Sequence, residues 1–298
     1  MSKKKQQQIN DAIAMQMEAA QEAGAMGYMA RAMAMASLPH RDPGGDFYSR
    51  RNGAFELHVA ASREGGGVPY GSLPRLLISW ITTEAVREKT PELVLGASLS
   101  EFLGKLGITA AWGPRGSVTT FRSQLERLAG CSITAEYRTD EQTATESVKM
   151  IRASNLWWHP HTPEQSAMWQ STLTLSSDFF KELITRPVPI DLRALRALKR
   201  SPMALDIYIW LTHRMSYLSR DTRIPWEALQ LQFGAGYPST PQGLRNFKRA
   251  FRAALGKVQG VYQEARIGEE GAYLKLRPSR THVPRISRPE DSGDKPGD

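Results

Sequence analysis

The sequence predicts a mainly α, α+β chain of two tandem winged-helix domains with small antiparallel hairpins. Three observations predict it. Ile224 to Leu255 reads as two helices joined by a turn, and two short apolar runs that fit a hairpin follow. The same order of helix, helix and hairpin is readable between Ser98 and Ala153, without obvious identity between the copies. A chain of 298 residues with 41% hydrophobic content can fill two small cores.

Residues 1–67 read as an N-terminal extension, partly helical or mobile. Ile9, Ile13 and Met17 give a short helical stripe, Gly24 and Gly27 interrupt a Met/Ala-rich segment, and Arg41 to Gly45 and Arg63 to Gly67 are turn-rich. The methionines suit an adaptable contact surface or a loosely attached helix. Ordered structure is expected from Val68, in a first domain over 68–158. Leu73, Leu76, Leu77, Trp80 and Ile81 recur at helical spacing over 72–88. Leu93-Val-Leu95 is a short strand. Ser98 with Glu101 three residues on forms a capping box for a helix over 98–106, which Gly107 stops. After a turn at Trp112 to Gly116, Ser117 is the expected cap of a helix over 117–128. Its Val118, Phe121, Leu125 and Leu128 face in, and Thr119, Arg122, Ser123 and Arg127 face out. Residues 131–137 are expected to pair with 148–154, with Arg138 to Glu146 as the tip.

A junction is expected near 155–170, then a second domain over 159–282. Thr172 to Leu175 is a strand, Asp178 to Ile184 a short helix, and Asp191 caps a helix through Leu198. Ser201-Pro202 opens a helix over 201–217, with proline in the first turn where its missing N–H costs nothing. Ala204, Ile207, Tyr208, Leu211 and Met215 form its buried stripe. Helices over 225–233 and 241–256 follow, then a hairpin of Val258 to Ala265 with Ala272 to Leu276 around Ile267 to Gly271. Residues 283–298 are polar and proline-containing, and read as a disordered tail.

The helix over 241–256 carries the strongest functional signal. Leu244, Phe247, Phe251 and Leu255 face a core, while Arg245, Lys248, Arg249 and Arg252 fall on an adjoining face. A helix anchored by aromatics and carrying four cations suits a DNA major groove. A solvated amphipathic helix gives the same pattern. Three features favour DNA: no acidic residue lies between Pro241 and Leu255 to pair at i,i+4, a shorter helix and turn precede, and a hairpin follows. Charge points the same way. The net +9 is concentrated in residues 186–282, with 17 Lys and Arg against 7 Asp and Glu, whereas residues 68–155 hold 10 against 9. An arginine suits bidentate contact to guanine, and Lys248, nearer the apolar stripe, suits phosphate.

Other classes lack their chemistry. A single cysteine, Cys131, excludes an internal disulfide and a Cys-based zinc finger, and its setting reads as a half-buried strand. No apolar run approaches the roughly 18 residues of a membrane span. Lys3 to Lys5 precede polar Gln6 to Asp11 rather than the apolar core of a signal peptide, so a cytoplasmic protein is expected. No Gly-x-x-x-x-Gly-Lys-Ser/Thr loop is present, and neither a cofactor nor a metal is expected. His159-Pro160-His161 superficially matches the paired histidines of rolling-circle nicking enzymes. Proline removes a ladder donor there, and no acidic cluster stands nearby. Trp157 and Trp158 fit a domain junction better than a base-stacking platform.

Three segments carry a family likeness: Pro69-Tyr-Gly-Ser-Leu-Pro-Arg-Leu-Leu77, Leu93-Val-Leu-Gly-Ala-Ser-Leu-Ser-Glu-Phe102, and Met203-Ala-Leu-Asp-Ile-Tyr-Ile-Trp-Leu-Thr212 with Tyr217. Over residues 68–280 the chain resembles the RepA-type replication initiators of bacterial plasmids. The resemblance implies two winged-helix domains that bind direct repeats (iterons) in the origin as double-stranded DNA. It also implies recruitment of host replication proteins, and dimers formed through the first domain. By location it places Arg245, Lys248, Arg249 and Arg252 on the second reading helix, and Thr119, Arg122, Ser123 and Arg127 on the first. A transcriptional repressor on a single operator needs the same surfaces and stays open as a reading. A nicking enzyme is the remoter one.

Overall fold

The computed structural model describes residues 26–283 except 31–32, 35, 53–54, 63–65, 115, 139–142, 156–169 and 186. It is a mixed α/β chain with eight helices and small antiparallel sheets among the described residues. In chain order these are β1 (Met26–Met29), β2 (Phe47–Asn52), β3 (Phe55–Ala60), α1 (Ser72–Glu88), β4 (Glu92–Gly96), α2 (Leu99–Lys105), α3 (Ser117–Gly130) and β5 (Ser132–Arg138). Then come β6 (Thr143–Val148), β7 (Ile151–Asn155), β8 (Ser171–Leu175), α4 (Ser177–Thr185), β9 (Val188–Asp191), α5 (Leu192–Leu198) and α6 (Pro202–Met215). The chain continues through β10 (Thr222–Pro225), α7 (Trp226–Phe233), α8 (Pro241–Gln259), β11 (Ile267–Glu270) and β12 (Tyr273–Leu276). The sheets run β2-β3-β5-β6, β4-β8-β7, β1-β9 and β10-β12-β11.

The helices follow local chemistry. Ser98 accepts from the Glu101 N–H, and the Glu101 carboxylate reaches back to the Ala97 N–H, so α2 starts where the capping pattern places it. Asp191 caps α5 through the Arg193 N–H. Within α1 the buried hydroxyls of Ser79, Thr82 and Thr83 donate to Leu76, Ile78 and Ser79 carbonyls. Those bonds let a helix with polar residues run through the core, since a buried hydroxyl is costly only without a partner. One detail differs. Gly116 occupies the capping position of α3, and Ser117 is its first residue, bonded to Thr109 O and Ala111 N.

The strands depart further from the sequence reading. Ser132–Arg138 pairs with Thr143–Val148, not with 148–154. Thr143-Ala-Thr-Glu-Ser-Val148 lacks apolar alternation, which hid a strand whose threonines favour extended backbone. Ile151–Asn155 belongs to another sheet, where Ile151 lies opposite Leu175 and both are buried. Ordered structure also begins before Val68: β3 pairs along β5, with Leu57 and Val59 fully buried. Near the carboxyl end the hairpin is Ile267–Glu270 with Tyr273–Leu276, not Val258 to Ala265 with Ala272 to Leu276. α8 ends at Gln259, and Val261, Tyr262 and Ala265 are buried in the turns and irregular chain that follow rather than in a strand. Cys131 is buried at the end of α3, its thiol pushed up to about 12 by burial. The N-terminal stripe, His159, His161, Trp157, Trp158 and the tail lie outside the described residues, as does most of the expected junction.

The two cores expected from the sequence are joined. Buried apolar side chains of the described residues form one contiguous cluster, and α1 packs against α6. At their contact Arg75 donates from Nε to Asp206 Oδ1 at 2.6 Å and from Nη2 to Asp206 Oδ2 at 2.7 Å, and both side chains are 4% exposed. Arg75 also donates to the carbonyls of Leu38 and Pro39, and His40 Nε2 lies 2.7 Å from Asp206 Oδ2. Burial alone raises the Asp206 carboxyl. The Arg75 charge and the bonds from His40 and Arg75 outweigh that and hold it below its ordinary value. Burial pushes the His40 imidazole down from 6.5 despite Asp206.

Two outcomes follow from this joint. Arg75→Ala leaves a buried carboxylate without its cation and is expected to cost about 3–5 kcal/mol in urea unfolding. His40 titrates at a lower pH folded than unfolded, so its stabilisation is complete above about pH 6.5 and is lost as pH falls toward the folded value. The melting temperature should therefore fall from about pH 7.5 to about pH 5.5, and fall less steeply in His40→Gln, whose amide keeps a donor for Asp206.

Candidate nucleic-acid interface

The cation-bearing helix α8 is set by its own sequence. Thr240 Oγ1 accepts from the Gly243 N–H, and Pro241 occupies the first turn. A Cβ at position 243 would stand 1.9 Å from the Pro238 carbonyl oxygen, so only glycine lets the turn after α7 lie this close to α8. Phe247 and Phe251 are fully buried. Phe251 is the hub, with ring centroids 5.6 Å from each of Trp226, Phe233 and Phe247. Behind this cluster α8 packs on α6. The apolar face read from the sequence is thus the anchored face, and the cations lie on the face beside it.

Those four cations are not equivalent. Arg245 and Arg249 are exposed. Arg245 bonds only the neutral Gln242 side chain, and Arg249 has no hydrogen-bond or ion-pair partner among the described residues. Lys248 and Arg252 both lie over the Trp226 ring, at 5.4 and 5.3 Å from its centroid. Arg252 also makes a two-bond fork to Glu269 of β11. The absence of i,i+4 acids therefore did not leave Arg252 unpaired, because its partner sits on the hairpin, 17 residues on. The fork raises Arg252 further and holds Glu269 below the usual carboxylate range. Next along, Glu270 pairs with Arg223 of β10 and approaches Lys275, so both acids of the hairpin are paired.

The earlier helix, α3, divides differently. Val118, Phe121, Leu125 and Leu128 are buried as read. Arg122 is exposed and Ser123 half-buried. Thr119 is exposed, its hydroxyl donating to Gly113 O. Arg127 is committed to the fold: it donates to Val68 O, pairs with Asp42 and stacks 5.1 Å from the Tyr70 ring centroid. Sequence reasoning missed Trp226 and Glu269. A tryptophan at the start of α7 and an acid in the following hairpin were visible signals, but only the fold brings them to one arginine. Among the described residues no group of three His, Cys, Asp or Glu is placed to hold a metal ion. No helix there is long and apolar enough to cross a membrane.

Comparison with protein families matches residues 68–229 to the family described as plasmid-encoded RepA protein. The chain belongs to this RepA family. The match runs from α1 into the first turn of α7 and contains both Arg75 and Asp206, but ends before α8 and short of residue 280, the end of the resemblance read from the sequence. The case for α8 in this RepA-family protein therefore rests on its own geometry. No curated protein matches the sequence. Among solved structures, a crystal structure of RctB domains 2–3 aligns with a TM-score of 0.47 at 10% identity, covering 82% of this chain and 96% of that one. A selenomethionine crystal structure of RctB domains 2 and 3 aligns with a TM-score of 0.48 at 11% identity, covering 82% and 94%.

Anchor and cations are separable by mutation. Phe251→Ala should lower unfolding free energy by about 3–5 kcal/mol, because three aromatic neighbours lose their packing partner. Arg249→Ala should stay within about 0.5 kcal/mol of the parent in the same denaturation measurement.

Proposed function

We propose that this RepA-family chain initiates plasmid replication by binding duplex DNA at direct repeats in the origin. In this reading α7 and α8 with the β10-β12-β11 sheet form one winged helix, and α2 and α3 with the β5–β6 hairpin contribute to another. The observation that carries it is α8 itself: a helix fixed by a buried aromatic cluster, with exposed arginines on the adjoining face. Arg245, Lys248, Arg249 and Arg252 then meet the DNA, with Thr119, Arg122 and Ser123 of α3 forming a second contact. Arg127, held within the fold, supports that helix rather than touching DNA. The protein acts as a binding module without cofactor, metal or strand cleavage. It recruits host replication proteins and pairs with a second copy through the nearly neutral region 68–155. A nicking enzyme would need a tyrosine nucleophile; Tyr208 is fully buried and accepts from the Asp191 N–H, which closes it to DNA, whereas Tyr217 is exposed.

The test is a titration of the full chain and of a triple Arg245→Ala, Arg249→Ala, Arg252→Ala variant against duplexes from the DNA beside the gene. Each base-reading arginine should contribute about 1–3 kcal/mol to the cognate site, and each phosphate contact about 0.9 to the salt slope. Undiminished binding by the triple variant would show α8 to be an ordinary solvated surface. Footprints on several direct repeats beside an A·T-rich stretch support initiation, and a footprint on one palindrome would instead favour a repressor.

A further inference from the structure

Arg245, Lys248, Arg249 and Arg252 share one face in the sequence, but Arg252 is held in a way the others are not. Its Nε and Nη2 donate to Glu269 Oε1 and Oε2 at 2.7 and 2.6 Å. A guanidinium carries five N–H groups. This fork uses the side edge and leaves the end edge, formed by Nη1 and the second N–H of Nη2. That end edge is the pair of donors that meets O6 and N7 of guanine in a bidentate contact. Trp226 lies against the guanidinium, 5.3 Å from ring centroid to Cζ. With one edge and one face occupied, the group is oriented before any ligand arrives, which removes part of the entropy cost of binding.

Glu269 also discriminates by charge. A backbone phosphate approaching Arg252 meets a carboxylate already paired there, and like charges oppose it. The edge of a guanine is neutral and meets no such penalty. Arg245, bonded to a neutral amide, and Arg249, without a partner among the described residues, lack this screen and suit phosphate. We propose that Glu269 is a specificity-determining positioning residue: it orients Arg252 to read one guanine in the major groove and turns that arginine away from the DNA backbone. The proposal rests on α8 as the DNA-reading helix.

The experiment is selection from a random-sequence duplex library by the full-length parent, Glu269→Gln, Arg252→Ala and Arg252→Lys. Titration of one selected site then compares guanine with 7-deazaguanine. The parent should select a site with a fixed guanine and prefer guanine over its 7-deaza analogue by roughly 5–150-fold. Glu269→Gln should bring that preference close to one and bind unselected duplex more tightly. Arg252→Lys keeps the charge but cannot form the fork, and should lose the guanine with its salt slope unchanged. Melting temperatures are taken alongside, and Glu269→Asp, which keeps the charge on a shorter stem, replaces Glu269→Gln if that variant melts low. A parent that selects no common sequence overturns the role of α8 and this proposal with it. A parent that selects one, with Glu269→Gln keeping the same guanine preference, overturns this proposal alone.

Discussion

A buried carboxylate survives in a protein only where cations and donors surround it, and the placement of Asp206 depends on that condition being met. Removing its partner leaves a charge in a low-dielectric interior, which costs far more than an exposed ion pair contributes. Arg75 meets the condition with a two-bond fork and uses its remaining N–H groups on carbonyls of the segment before α1. Geometry this restrictive fixes the relation of α1 to α6 more tightly than apolar packing alone, because hydrocarbon contacts tolerate sliding and a fork does not. His40 is the third member, and ties the preceding segment to the same carboxylate.

The orientation of the cationic helix is inherited from that joint. α6 carries Asp206 toward α1 and supports α8 on its other contacts. The Phe251 cluster then fixes the roll of α8, and Gly243 fixes how closely it follows the turn. A chain of rigid contacts therefore runs from α1 to the exposed arginines. The segments that carry the RepA resemblance are also the ones that meet in space: Arg75 lies in the first and Asp206 in the last, 131 residues apart.

Most helices were legible because helical periodicity is a local property. Leu73 to Ile81, Val118 to Leu128 and Leu244 to Leu255 each present an apolar stripe that needs no knowledge of its partner. Strand pairing is not local. Thr143–Val148 has too little hydrophobic alternation to announce itself, and Phe47–Asn52 and Phe55–Ala60 lie where turn-rich flanks suggested an extension. The buried run from Val258 to Ala265 was misread as strand; it is the end of α8 and the turns after it, buried without regular pairing. In the candidate interface the cations were readable as a face. Their differences were not, since the carboxylate that singles out Arg252 and the tryptophan beneath it belong to other elements. Nothing in the sequence around Arg127 showed that Val68, Asp42 and Tyr70 would claim it.

The pairing of β1 with β9 joins Met26 to Asp191 and Met29 to Val188. A strand made early in synthesis thus waits for one made much later. At about 5–20 residues per second, the ribosome takes roughly 8–30 s to deliver the partner. During that interval the backbone groups of β1 lack their strand partner, while β3 is completed earlier, once β5 has been made. Closing such distant contacts costs loop entropy before the pairing stabilises anything, which slows this step. Freshly made chains are therefore exposed to proteases and to association for longer than their finished stability suggests. In a cell the supply of folded protein would then be set partly by the speed of this late closure, and not only by how often the gene is read.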